Sequence, residues 1–122
     1  MKTRRLGTII STCLLLITLG CGPDSIFIRQ GLDTPSHHVD NGNQFMNNGK
    51  FDTAQVEFNR ALELDPNYAP AYVGLGLLAG HRGDPEKGMG FMEKARELAL
   101  DEEQRNHVEA GFQILREMAA TD

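Results

Sequence analysis

NQFMNNGKFDTAQVEFNRALELDPN, residues Asn43–Asn67, decides how the rest of this 122-residue chain is read. Gly49 breaks one helical pattern, Phe51 starts another, and Asp65-Pro66-Asn67 stops it, so the stretch reads as the centre of a helical hairpin. Shifting the sequence on itself by 34 positions places Gly49 on Gly83, Phe58 on Met92, Ala61 on Ala95 and Leu64 on Leu98. A period of that length is the mark of stacked helix pairs, each of which needs its neighbour to bury an apolar face.

The pattern places the first helix over about Ser36 to Asn48, with Val39, Gly42, Phe45 and Met46 on one face. The second spans about Asp52 to Leu64 and turns Ala54, Phe58, Ala61 and Leu62 inward. The two alanines matter because antiparallel helices approach closely only where side chains are short. The second pair repeats this arrangement. Its first helix is expected over about Pro70 to Arg82, packing through Tyr72, Leu75, Gly76 and Ala79. Gly83-Asp84-Pro85 then supplies a turn, an N-cap and a proline suited to a first helical position. The fourth helix, Glu86 to Leu98, offers Met89, Met92, Ala95 and Leu98. Gly88 and Gly90 within it each cost up to about 1 kcal/mol against alanine, which marks it as the weakest part of the domain. Asp101 with Gln104 three residues on reads as a capping box. It opens a last helix carrying Val108, Phe112, Leu115 and Ala119 on one stripe, as a solenoid requires of the helix that closes its end.

Numbered from Pro35, the small and bulky positions Gly42, Phe45, Gly49, Phe51, Ala54, Phe58, Ala61 and Pro66 resemble a tetratricopeptide (TPR) repeat. A second unit is similar at Tyr72, Leu75, Gly76, Ala79, Gly83 and Ala95, and departs from the family pattern at Pro85, Gly88 and Leu100. The resemblance implies an all-α fold of antiparallel helical hairpins in a right-handed α-solenoid. Its two repeats would cover about 35–68 and 69–102, with a capping helix at about 102–119 and the whole domain at 36–119. It also implies a concave groove lined by the first helix of each pair. Those positions here are Val39, Asn43 and Met46, then Val73, Leu77 and Gly80, with His107, Gly111 and Ile114 from the last helix. The groove is expected to be apolar and to hold an apolar helix or extended segment of a partner protein, with Leu77, Met46 and Ile114 reading it. Packing against the chain's own Ile26 to Ile28, or against a second copy as a homodimer, is the competing expectation. One branch of the family grips carboxylate tails with Lys, Arg and Asn. Of that set only Asn43 is present, and Val39 and Gly74 stand where a Lys and an Asn would be, so that activity is not expected.

Upstream, residues 1–20 join a basic MKTRR to an apolar run from Leu6 to Gly20, too short for the roughly 20 residues a bilayer demands and suited to a secretory signal. The run ends in Ile17-Thr18-Leu19-Gly20-Cys21, which resembles the lipobox of bacterial lipoproteins; Thr18 departs from the family's usual Leu. The resemblance implies lipid on Cys21 and cleavage before it. Gly22, standing where the inner-membrane retention signal has Asp, implies an outer-membrane address facing the periplasm. The alternative is an ordinary signal peptide with an incidental cysteine. Residues 21–35 then form a tether, and the 15 residues from Gly22 to Ser36 reach roughly 50 Å when extended.

Without residues 1–20, nine Lys and Arg face 17 Asp and Glu, a balance that disfavours nucleic acid and anionic lipid as electrostatic partners. No enzymatic reading finds a residue to rest on. There is no G-x-S-x-G, P-loop or paired nucleophile and base. Glu102 and Glu103, with Asp101, read as charges that favour a helix start. His37 and His38 diverge on a helix, and His81 and His107 come from different helices, so neither a metal nor a cofactor is expected. The function expected is a membrane-tethered adaptor assisting assembly of an envelope complex, with a structural or oligomerising subunit of a pilus or secretion complex as the alternative. A peptidoglycan-binding module is a weaker third class, because the expected groove lacks aromatic platforms.

Overall fold

The computed structural model describes residues 33–121. The leader, Cys21 and the Ile26 to Ile28 trio lie outside the described residues. Within the described residues five helices follow one another: α1 Pro35–Asn47, α2 Phe51–Leu64, α3 Ala69–His81, α4 Pro85–Leu98 and α5 Glu102–Thr121. Each of the first four begins and ends one residue before or at the position the pattern predicts, within the fraying of any helix end.

The helix ends follow from local chemistry. The Thr34 hydroxyl accepts a hydrogen bond from the His37 amide at 3.2 Å, with Pro35 at the first helical position. Gly49 and Gly83 close α1 and α3 with φ of 71° and 80°, the left-handed region that glycine enters without a Cβ clash. Asp84 caps α4 by accepting from the Lys87 amide at 3.0 Å. At α5, Asp101 accepts from the Gln104 amide at 2.8 Å, while the Gln104 side chain reaches one residue further back than a capping box requires, accepting from the Leu100 amide at 3.1 Å.

The helices pair as α1 with α2 and α3 with α4, and α3 lies centrally, touching the other four. Two apolar clusters fill the interior. Phe58, fully buried, anchors the first together with Val39, Met46, Ala54, Ala61 and Leu78. Its ring occupies the space that side chains would take at Gly42 of α1 and Gly74 of α3, where an added Cβ would stand 2.5 and 2.3 Å from ring carbons. Val73, Met92, Ala95, Val108, Phe112 and Leu115 form the second cluster, between the second pair and α5. Leu77 is packed against both.

Two sequence expectations change here. Gly88 is no defect: a Cβ on it would lie 2.7 Å from the Gly76 carbonyl oxygen and 2.9 Å from Leu115, so the crossing of α3 and α4 depends on its smallness. Gly90, by contrast, faces open space. The buried stripe of α5 is Val108, Gly111, Phe112 and Leu115, continued by Met118 packed on the second cluster, whereas Ala119 is exposed. A 3.6-residue period carries the last contact to 118 once Gly80 leaves room there for the Met118 sulfur and Leu115.

Candidate protein-interaction face

The expected groove residues divide by burial. Val39, Met46 and Val73 are 6%, 8% and 2% exposed and belong to the two apolar clusters, so they are spent inside the domain rather than offered to a partner. Met46 therefore does not read a bound segment as the sequence suggests. Asn43 and Leu77 are half-buried, Gly80 is half-buried and Gly111 buried, and His107 is exposed. Ile114, 41% exposed, is a large apolar side chain left facing out. Leu77 contributes to both clusters, so it supports the fold as well as any surface.

The structure does not gather these residues into one cavity. Asn43 lines a shallow polar depression with His37, Asp40, Asn41, Gln44 and Asn47 of its own helix. His107 instead lies on a crevice of about 220 Å³ with Tyr68, Pro70, Asp101, Glu103 and Gln104, and this continues inward past Ala69 and Val73 to Val108. Tyr68, Pro70 and Gln104 were not among the expected groove residues. They come from the start of α3, the loop before it and the start of α5, and only the parallel arrangement of those helices brings them together. Proline and tyrosine opening a helix beside a polar loop is the sole sequence signal that could have suggested it.

A second group missed by the sequence lies at the start of α1. His38 is held between two carboxylates, its Nδ1 2.7 Å from Glu57 Oε2 of α2 and its Nε2 3.0 Å from Asp33 Oδ1. Arg60 of α2 donates to the other oxygen of Asp33 at 2.9 Å, and the Asn41 amide donates to Glu57 at 3.3 Å. Partial burial pulls the imidazole toward its neutral form, but hydrogen bonds to Glu57 and Asp33, reinforced by both negative charges, outweigh it and raise its pKa above the ordinary histidine value. The bonds from His38 and Arg60 hold the Asp33 carboxyl below the usual range. The carboxylates meet opposite ring nitrogens, so they are hydrogen-bond partners of the ring and do not converge on one point. No group of three or more His, Cys, Asp or Glu among the described residues is arranged to hold a metal ion. No described helix is long and apolar enough to cross a membrane.

Five helices stacked as antiparallel pairs with a closing helix define an all-α helical solenoid of the TPR type. Residues 42–80, the end of α1 through most of α3, match the family model of the TPR repeat, under half of the chain. No curated protein and no solved structure matches the sequence. A matched TPR repeat supports a role in protein–protein interaction.

Proposed function

We propose that the protein is an adaptor held at the bacterial envelope by lipid on Cys21, which presents the face formed by α1, α3 and α5 to an apolar segment of a partner protein and assists assembly of an envelope complex. The observation that carries the reading is Ile114: a domain that buries Val39, Met46 and Val73 of the same register leaves this one 41% exposed, on the last helix. The half-buried Leu77 and the crevice beside His107 add apolar and polar contacts on neighbouring helices. The Ile17 to Cys21 stretch supports the anchor, since two or three acyl chains at about 0.8 kcal/mol per buried methylene hold a protein on a bilayer effectively permanently. An outer-membrane position facing the periplasm follows from Gly22 and is part of the same proposal.

Photocrosslinkers at Ile114 and His107, and at Val56 as a control on α2, test the face in intact envelopes. Adducts from 114 and 107 but not from 56 support it; adducts only from 56 overturn it. Substituting Ile114→Asp is the matching loss-of-function test, preferable to Leu77→Asp, which would disturb both clusters. Incorporation of a fatty-acid label that disappears in Cys21→Ser tests the anchor independently.

A structural or oligomerising subunit remains as a second reading because Val56, 65% exposed on α2, and Leu100, 84% exposed before α5, are apolar residues outside that face. A stable homodimer of the delipidated chain, broken by Val56→Asp, would favour it over the adaptor.

A further inference from the structure

The geometry points to a pH-sensitive clamp, made of Asp33, His38, Glu57 and Arg60, that fixes how the chain enters the helical domain. Asp33 is the first described residue, two positions before α1 begins, and it is tied to α2 as well as to α1. Arg60 donates to both of its oxygens, at 2.9 and 3.4 Å, and His38 shares the second of these, while His38 uses its other nitrogen on Glu57. The line from Asp33 through the imidazole to Glu57 therefore braces the incoming chain against both helices of the first pair.

Only the imidazolium can complete this line. Facing two carboxylates, the ring must donate from both nitrogens; a neutral ring has one N–H and would turn a lone pair toward the other carboxylate. Loss of one proton thus replaces an attraction with a repulsion at 2.7 or 3.0 Å. The charged or titratable groups facing His38 are Asp33 from the incoming chain, His37 from α1, whose ring centroid is 6.0 Å away, and Glu57 from α2, with Arg60 of α2 acting through Asp33. Arg60 stays charged throughout, so both of its bonds to Asp33 persist when His38 lets go.

The sign of the pH dependence follows from the two shifts. A histidine whose folded pKa is raised contributes its full stabilisation below the ordinary value of 6.5 and loses it as pH rises through the folded value above that. A carboxyl whose folded pKa is lowered contributes above its ordinary value of 3.8 and loses this as pH falls through the folded value below it. The clamp is therefore fully closed between these limits and loosens on the alkaline side by release of His38. Rising pH in the surroundings would leave Asp33 held by Arg60 alone and slacken the entry to α1 without unfolding the helices, because none of the four side chains belongs to either apolar cluster.

Long-range proton–nitrogen correlation spectra of the uniformly 15N-labelled full chain test this directly. At pH 6 both ring nitrogens of His38 should be protonated, and the amides of Asp33 and Thr34 should titrate with the same midpoint as the ring. Glu57→Gln and Asp33→Asn should each lower that midpoint measurably, and His38→Gln should leave the two amides without a titration in this range. Arg60→Gln separates the parts: it should shift the Asp33 amide resonance while leaving both ring nitrogens protonated at pH 6. A His38 ring with a single N–H at pH 6, a midpoint unmoved by Glu57→Gln, or amides of Asp33 and Thr34 that ignore the His38 titration would overturn the proposal.

Discussion

Two glycines in the same helix, two residues apart, should respond in opposite directions to the same substitution. Gly90 lies within α4 with nothing near the position of an added Cβ. Gly90→Ala therefore removes only the entropic cost of glycine in a helix, a gain of about 0.5–1 kcal/mol. Gly88→Ala earns the same propensity gain, but its new carbon would meet the Gly76 carbonyl oxygen at 2.7 Å and two Leu115 methyls at 2.9 and 3.0 Å. Backbone cannot step aside as a side-chain terminus can, so α3 and α4 must separate, and overpacking of this kind costs about 1–3 kcal/mol. The net expectation is a loss of about 1–2 kcal/mol. For a domain of this size 1 kcal/mol moves the melting temperature by about 4–8 °C, so the two variants should differ by roughly 10 °C. Thermal unfolding followed by circular dichroism, with urea titration as a check on the slope, measures both. If Gly88→Ala stabilises as much as Gly90→Ala, the close crossing of α3 and α4 is wrong.

Three further outcomes are expected. Phe58→Ala, which empties the space between Gly42 and Gly74, should cost about 3–5 kcal/mol and remove most of the stability in a urea titration. Asp84→Ala, which leaves the Lys87 amide without its acceptor, should cost about 1 kcal/mol, and Asp84→Asn should restore most of it. Ile114→Asp should leave the melting temperature within about 4 °C of the parent, as an exposed substitution does, while abolishing crosslinking of a partner at position 107.

The elements were legible in the sequence because each boundary carries its own chemistry: Gly49 and Gly83 in the left-handed region, Asp84 and Asp101 as caps, Pro66 after the last turn of α2. The inward face of α2 was equally legible, since Ala54, Phe58 and Ala61 share one side of a helix and are all fully buried. Gly88 was misread for a definable reason. Helix propensity concerns one helix in isolation, whereas this residue answers to the backbone of another. Ala119 was placed on the buried stripe by spacing alone, and the room left by Gly80 decided for Met118 instead. The His38 group left no trace in the sequence, because its partners stand 5 and 19 positions away and no periodicity links them.

The disagreement over the groove has a single physical origin. Its expected positions assume helices held apart widely enough for the first helix of each pair to turn one row of side chains outward. Here glycine sits at the crossings: Gly42 and Gly74 enclose the Phe58 ring, Gly76 meets Gly88, and Gly111 lies against Met92 with a Val73 methyl 3.5 Å from where its Cβ would be. Helices this close absorb the row, and Val39, Met46 and Val73 become core. α5 keeps part of its surface uncovered, because no further helix among the described residues stacks on it: Ile114 faces out, and His107 stands at the crevice that α5 makes with the start of α3. The helix that closes the solenoid is therefore the one that leaves a groove-register aliphatic well exposed, apart from the separate exposure of Val56 on α2. A substitution that restores spacing, such as Gly111→Ala against Met92, should weaken the seating of α5 and reduce partner crosslinking at 114 and 107 together, even though residue 111 is buried and touches no partner.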